Sequence, residues 1–299
     1  MTILITGSNG KTASELTSML TPQYPVLIAT RSPDKATNHP NVKFDWTDST
    51  TYSNPFEHEQ AKNSPISAMY LVGLESDNRS ELIISFIHLA VSKGVRRFVL
   101  LSSAEIEEGG PLFGQAHGEL HKLGDEGKLE WAVLRPHLFM ENFIERGYGG
   151  YHWQTIMEQG KIYSAAGKGK KPYISARDIA ATAYRALLDE KPHSDDLYIT
   201  GPESLTYDDI AAMFSEVLGR KIEHVSLTGQ ELAQTLVTVG GVPEDFAAML
   251  GEIDEKVAKG HHWETTDVVE QVTGRPPRTF KDFVVENKSA FAQTTRVRC

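Results

Sequence analysis

Short apolar runs alternate with helix-patterned stretches through the first half of the chain, and this alternation restricts the fold more than any other feature of the sequence. The runs are ILIT (3–6), VLIAT (26–30), VKF (42–44), AMYLV (68–72), FVLLS (98–102) and WAVLR (131–135). They are short and nearly continuous in apolar character, as strands buried on both faces are. Six such runs separated by crossover helices predict an α/β fold built on a doubly wound parallel sheet. The clearest crossover is SELIISFIHLAVSKG (80–94), where apolar residues recur at helical spacing and Lys93-Gly94 offers a C-cap. After Arg135-Pro136 the pattern loosens. Aromatic and glycine residues crowd ENFIERGYGGYHW (141–153), and KIYSAAGKGKKPYISARDIAATAYRALL (161–188) predicts a loop, a short strand and a helix. A late strand of the sheet is expected at LYIT (197–200). Thr206 then N-caps a helix with acidic residues in its first turn, and the final hundred residues predict the helices of a smaller lobe. The expected division is a sheet core of residues 1–136 plus about 174–200, and a smaller, mostly helical lobe of about 137–173 and 201–299.

Charge and cysteine content narrow the partners. A net charge of -10 gives no general attraction to nucleic acid or to an anionic membrane surface. The single cysteine, Cys299, allows neither an intrachain disulfide nor a cysteine-rich metal site, so a reducing, cytoplasmic setting is expected. The apolar start, Thr2 to Thr6, is too short for a signal sequence, and no later run approaches the length of a membrane span.

The first strand runs into TGSNGKTA (6–13), a glycine turn that opens a helix and presents backbone N–H groups to a phosphate. Two phosphates fit. Gly10-Lys11-Thr12 ends like a triphosphate-binding loop, but the usual G-x-x-x-x-G-K-[ST] spacing needs glycine at position 5, where Ile5 stands. A shorter T-G-x-N-G-K-T loop resembles that of the cell-wall peptide ligases; those are expected to carry a folded module upstream, and here the motif begins at residue 6. Read as a dinucleotide loop, Gly7 makes the tight turn and Gly10 brings backbone to the pyrophosphate. Ser8, Asn9, Lys11 and Thr12 complete the contact, and Ala13 permits close helix packing. The end of the second strand favours this second reading. An NAD site typically has an acid there for the ribose hydroxyls, whereas this chain has Arg31-Ser32, with Lys35 nearby. A guanidinium beside a hydroxyl suits the extra 2′-phosphate of NADP, so NADPH is the expected cofactor.

These blocks carry a resemblance. The glycine loop followed by ATRSP, FDWTD (44–48), YLVG (70–73), RRFVLLSS (96–103), VLRPHLFMENF (133–143), ISARDIA (174–180) and GPESLTYDDIA (201–211) resembles the NmrA-like branch of the atypical short-chain dehydrogenases. More narrowly, GKTAS, FDW, GKIYSAAGKGK, VLGRKIEHVSL and DFAAML are similar to the fungal ergot-alkaloid dehydrogenases, over nearly the whole chain. The resemblance implies a Rossmann core, NADPH, and hydride delivery to a tricyclic iminium formed when chanoclavine aldehyde closes on its secondary amine. The small-molecule partner is then an indole alkaloid intermediate, with an upstream enzyme supplying the aldehyde.

What the chain lacks agrees with that chemistry. Typical short-chain dehydrogenases carry Y-x-x-x-K after the fifth strand, where tyrosine protonates the oxygen formed from a carbonyl. The corresponding stretch here, FGQAHGELHKLG (113–124), has no tyrosine. An iminium carbon needs no such proton, because hydride addition gives a neutral amine. His117 in this stretch is the candidate catalytic group, as a pocket wall or weak acid, against a purely structural histidine. His117 and His121 share a helical face, but H-G-E-L-H misplaces the glutamate of H-E-x-x-H, so no metal is expected; His261-His262 reads as a solvated turn.

Strand ends supply the remaining candidates. Asp45 and Trp46 in the FDW block, Leu71, Val72 and Gly73 after the fourth strand, Ser102 and Ser103 after the fifth, and Pro136 after the sixth are assigned to the cofactor. His137, Phe139, Met140 and Phe143 are candidates for the substrate wall, weighed against ordinary core packing. Tyr148 and Trp153 are candidates for covering an indole or a cationic amine, weighed against an anchor between lobes. Asp45 and Glu141 are weighed as electrostatic partners of an iminium against turns and solvated faces. Two other functions share the scaffold: a non-catalytic NADP-sensing regulator, and a quinone or azo reductase.

Overall fold

A computed structural model describes residues 1–7, 10–21, 23–33, 39–74, 76, 78–145, 150–261 and 263–292. In chain order its strands are β1 (Thr2–Thr6), β2 (Val26–Thr30), β3 (Asn41–Lys43), β4 (Ile66–Val72), β5 (Arg97–Leu101), β6 (Glu130–Pro136), β7 (Leu138–Phe139), β8 (Lys161–Ser164), β9 (Lys171–Ile174), β10 (Asp195–Ile199), β11 (Ser204–Leu205) and β12 (Glu223–Ser226). Its α-helices are α1 (Lys11–Leu20), α2 (Asn54–Glu57), α3 (Glu59–Asn63), α4 (Arg79–Ser92), α5 (Gly114–Asp125), α6 (Tyr151–Gln159), α7 (Ala176–Leu188), α8 (Tyr207–Leu218), α9 (Gly229–Gly240), α10 (Glu244–Ala258), α11 (Val268–Thr273) and α12 (Phe280–Glu286). They form two compact units, one of Met1–His137, Ala176–Ile199 and Val268–Arg275, the other of Leu138–Ser175, Thr200–Asp267 and Pro276–Cys299.

The first unit is built on a seven-stranded sheet in the order β10-β6-β5-β4-β1-β2-β3, every neighbouring pair parallel. The α/β, doubly wound class read from the apolar runs is the class found. All five residues of β1 are buried, as a central strand covered on both faces requires. Helix α4 presents Ile83, Phe86, Ile87 and Ala90 to the sheet core, the i, i+3, i+4, i+7 set that periodicity predicts. Each large apolar side chain so enclosed contributes roughly 1.5–3 kcal/mol. The chain passes outward from β1 through β2 to β3 and then returns to β4 on the other side of β1. That reversal leaves a crevice at the carboxyl ends of β1 and β4. Thr6 fastens this edge: its hydroxyl accepts from the Val72 amide at 2.6 Å and donates to the Val72 carbonyl at 3.1 Å.

The second unit holds a three-stranded sheet (β11-β9-β7) and a parallel two-stranded one (β12-β8). Here the sequence expectation is corrected. Residues 161–174 form two strands rather than one, because β8 and β9 find their partners far along the chain, β12 for the first and β7 and β11 for the second. Phe143, Tyr173, Phe214 and Phe280 fill the core, with Phe143 edge-on to Phe280 at 5.2 Å. Thr206 caps α8 as expected, in a reciprocal capping box with Asp209. Ionisable groups are sealed inside this unit. Lys171 Nζ pairs with Asp254 beneath the Tyr207 ring, and the second Asp254 oxygen accepts from the Ala165 amide at 2.9 Å. His152 stacks on Phe143 at 4.3 Å, and burial, with the Lys171 charge, drives its pKa down to about 3. Among the described residues no helix is long and apolar enough to cross a membrane.

Candidate active site

The β1–α1 turn lies at the crevice of the first unit. Gly7 adopts φ +75°, and a Cβ there would stand 2.9 Å from the Val72 Cβ, so both the backbone conformation and the close approach to β4 demand glycine. Gly10 is the N-cap of α1; it closes the turn by donating its amide to the Gly7 carbonyl at 2.8 Å, and no acidic residue occupies the first turn of the helix. A helix start of this kind attracts anions. Thr12 decides which anion is at issue. Its side chain is buried and its Oγ1 accepts from the buried Tyr70 hydroxyl at 2.9 Å, so it faces the interior and is not presented as the magnesium ligand of a triphosphate loop. Ala13 is fully enclosed, as close helix-to-strand packing requires, and Lys11 is half-buried beside the turn. Ser8 and Asn9 lie outside the described residues, as do Lys35, Tyr148 and Cys299.

At the end of β2, Arg31 and Ser32 are exposed. The structure adds a cation that sequence reasoning overlooked: parallel pairing sets Lys43 of β3 opposite Thr30, and Lys43 Nζ donates to the Arg31 carbonyl at 2.6 Å. Asp45 sits beside this pair. Bonds from the Thr47 amide and hydroxyl, helped by the Lys43 and Arg31 charges, hold its carboxyl below the usual range and therefore ionised. Trp46 is turned into the core, edge-on to Phe44 at 4.9 Å, with its indole N–H donating to the Val72 carbonyl at 3.0 Å. It therefore braces the β4 end from behind.

Along the β4–β6 edge, Leu71 is fully buried while Val72 and Gly73 are half-exposed. Gly73 admits the Phe113 ring, which a Cβ would meet at 2.6 Å, and the Arg79 guanidinium lies 5.0 Å over that ring. After β5, the Ser102 amide donates to the Leu134 carbonyl at 2.8 Å, and the Ala104 amide to that of Pro136 at 3.0 Å. Ser102 is 8% exposed, yet its Oγ has no hydrogen-bond partner among the described residues. A buried hydroxyl without a partner is costly, and a ligand seated at this edge would complete it. Ser103 is half-exposed next to it. Arg135, which sequence reasoning treated only as the end of a strand, reaches across the turn. It donates to the carbonyls of Ser103 (3.4 Å) and Ala104 (2.7 Å) and to the carboxylates of Glu107 (2.6 Å) and Asp196 (2.7 Å). The available signal was an arginine closing an otherwise apolar strand, because a buried guanidinium must have partners.

His117 lies one turn into α5, its side chain 1% exposed against Trp131, with Nε2 3.9 Å from Glu108. Neither ring nitrogen is hydrogen-bonded among the described residues, and burial pushes the imidazole towards its neutral form. His121, nearly half exposed, instead accepts the pull of Glu108 at 2.9 Å, which raises its pKa. Among the described residues no group of three histidine, cysteine or acidic side chains is placed to hold a metal ion. Helix α5 contains no tyrosine. His137 is buried, its amide donating to the Ile199 carbonyl and its ring edge-on to Tyr198 at 6.4 Å. In the second unit Met140 and Phe143 belong to the core, Phe139 is half-buried, Glu141 is half-exposed, and Trp153 donates its indole N–H to the Ala290 carbonyl at 2.9 Å.

The chain is similar to known proteins in sequence and in fold. No protein-family model matches the chain. It is 41% identical over 292 residues to the agroclavine dehydrogenase of Claviceps fusiformis, spanning 97% of this chain and 99% of that one. It is 39% identical over 294 residues to festuclavine synthase II of Penicillium roqueforti, spanning 98% and 100%. Among solved structures, the NADPH-dependent quinone oxidoreductase of Escherichia coli, complexed with NADPH, superposes with a TM-score of 0.75 at 21% identity, covering 95% of this chain and 99% of that one.

Proposed function

The chain belongs to the NmrA-like branch of the atypical short-chain dehydrogenases, in the family of the fungal agroclavine dehydrogenases and festuclavine synthases, and is an oxidoreductase; from that premise we propose that it reduces a C=N bond with NADPH. The substrate of this reading is the cyclic iminium that forms, with loss of water, when the secondary amine of chanoclavine aldehyde attacks its aldehyde. The product is a neutral tertiary amine of the festuclavine or agroclavine type.

One observation carries the choice of C=N over C=O. The helix after β5 offers no tyrosine, and burial pushes its His117 towards the neutral form, so this helix presents neither a phenol nor an imidazolium to protonate an oxygen. NADPH, when bound, supplies the hydride; the protein's task is to hold and orient it and to keep water away. The β1–α1 turn would take the pyrophosphate, and Arg31, Lys43 and Ser32 the 2′-phosphate. The unpartnered Ser102 hydroxyl and the Ser103 turn mark the nicotinamide side. In the first unit, His137 is the side chain proposed to bear on the substrate. The exposed carboxylate of Glu105, on the loop after β5, favours a cationic substrate over a neutral one, an effect that added salt screens. A cytoplasmic setting and an upstream enzyme that makes the aldehyde complete the reading.

The test is loss of NADPH absorbance when the protein meets chanoclavine aldehyde under conditions that form its iminium, with NADH in parallel and the product identified by mass. Turnover with NADPH and a product carrying one added hydride is expected. Tight NADPH binding without turnover would sink the reading in favour of a regulator that only senses the dinucleotide.

A further inference from the structure

We infer that Arg135 is a positioning residue for hydride transfer, acting through the Ser102–Ala104 turn that it holds at the carboxyl end of β5. The inference rests on the reading of that edge as the nicotinamide side. Its own observations are three.

First, the guanidinium is buried, with a side-chain exposure of 7%, near the end of a strand whose other residues, apart from the half-buried Glu130 at the opposite end, are apolar. An apolar side chain would hold β6 against its neighbours without the desolvation of a cation, so strand packing alone does not call for arginine. Second, the partners are distributed as only a planar fork can serve them. Two main-chain carbonyls, of Ser103 and Ala104, belong to the turn, Glu107 to the loop that follows, and Asp196 to the neighbouring strand β10. Lysine, a point charge on a flexible stem, cannot meet all four at once. Third, the turn so fixed carries the Ser102 hydroxyl, buried and without a hydrogen-bond partner among the described residues. The amides of Ser102 and Ala104 already anchor the turn to β6. What the guanidinium adds is a hold on the opposite, carbonyl side, and so a fixed depth for the Ser102 hydroxyl in the crevice.

Reacting groups displaced by about 1 Å lose roughly 100-fold in rate, while binding energy gathered elsewhere is retained. In the Arg135→Lys variant kcat should therefore fall about 10- to 100-fold, with the substrate KM changed less than about threefold. The separating measurement needs no substrate. Adenosine 2′,5′-bisphosphate carries the adenine-side phosphates and lacks the nicotinamide. Its affinity should be the same in wild type and variant, whereas the advantage of NADPH over it should shrink about fivefold or more. Glu107→Gln, an exposed partner whose loss leaves the fold intact, should show the same pattern at about a third of the size and decides the matter should Arg135→Lys fail to fold. Unchanged kcat in the folded variants, or parallel losses for NADPH and the bisphosphate, would overturn the inference. A wild-type protein inactive towards every iminium, with the NADPH-to-bisphosphate ratio still shifted in Arg135→Lys, would overturn the proposed reaction and leave Arg135 as the residue that positions the nicotinamide side.

Discussion

The two units bury charge in opposite ways. In the first, Arg135 is enclosed at the end of a strand and spends its donors on a surface turn, on main-chain carbonyls and on two partly exposed carboxylates. Close by, a hydroxyl and an imidazole are left without hydrogen-bond partners among the described residues. In the second, Lys171 and Asp254 close on each other and on the Ala165 amide, under an aromatic lid, far inside. The first arrangement lies at the edge of the sheet, where a ligand would complete it; the Lys171–Asp254 pair is complete in itself, although the same unit also buries a His152 Nδ1 with no hydrogen-bond partner among the described residues. Polar groups at the sheet edge should therefore govern affinity and rate, and those of the second unit should govern stability.

The strongest attempt to break this contrast is Lys171→Met. Removing one partner leaves an uncompensated buried carboxylate, so denaturant unfolding should show a loss of about 3–5 kcal/mol. Adding Asp254→Leu should recover most of it. A loss below 1 kcal/mol would mean that the pair is hydrated and the closed description wrong. Next in size is Arg31→Ala, which should weaken NADPH binding by about 1.5–3 kcal/mol while leaving NADH binding and the melting temperature nearly unchanged. Lys43→Ala should act in the same direction and more weakly, because its ammonium also serves the Arg31 carbonyl. Equal losses for the two nucleotides would remove both cations from the 2′-phosphate.

His152 sharpens the stability side through pH. Its pKa is about 3 in the folded protein and about 6.5 in the unfolded chain, so the unfolded state binds the extra proton between those values. Stability is accordingly full above the unfolded value and is lost as the pH falls below it, by about 2 kcal/mol between pH 7 and pH 5. Urea titrations of the wild type and of His152→Phe, which has no proton to take up, should separate in this window; curves that stay parallel would show that the imidazole is not held neutral. The smallest effect is expected at Thr206→Ala, where the loss of one half of the capping box should cost about 1 kcal/mol without touching nucleotide affinity.

The contrast also marks what was legible in the sequence. Strands of the first unit announce themselves as apolar runs because each is buried on both faces, and β1, β2 and β4–β6 fall within a residue or two of the expected spans. Gly7 and Gly10 are visible because a turn after a strand leaves few other choices of residue. Lys43 was not, since its approach to Arg31 is set by the register of two parallel strands and not by distance along the chain. Arg135 was read as a strand end, its partners lying 28 to 61 residues away. Trp46 was assigned to the cofactor on the strength of a motif, while its packing on Phe44, Tyr52 and Phe86 comes from tertiary structure. The short strands of the second unit, β7, β9 and β11, have too few residues to show a period at all.

Both margins of the seven-stranded sheet end in guarded strands. β3 is three residues long and finishes on exposed Lys43, and β10 opens with Asp195 and Asp196. Short, charged outer strands discourage the pairing of one sheet with another molecule's, the usual route from an open sheet to aggregates. Lys43 and Asp196 thus guard the sheet margins as well as holding the Arg31 carbonyl and the Arg135 guanidinium, and a substitution at position 43 should be read for its effect on aggregation as well as on nucleotide affinity.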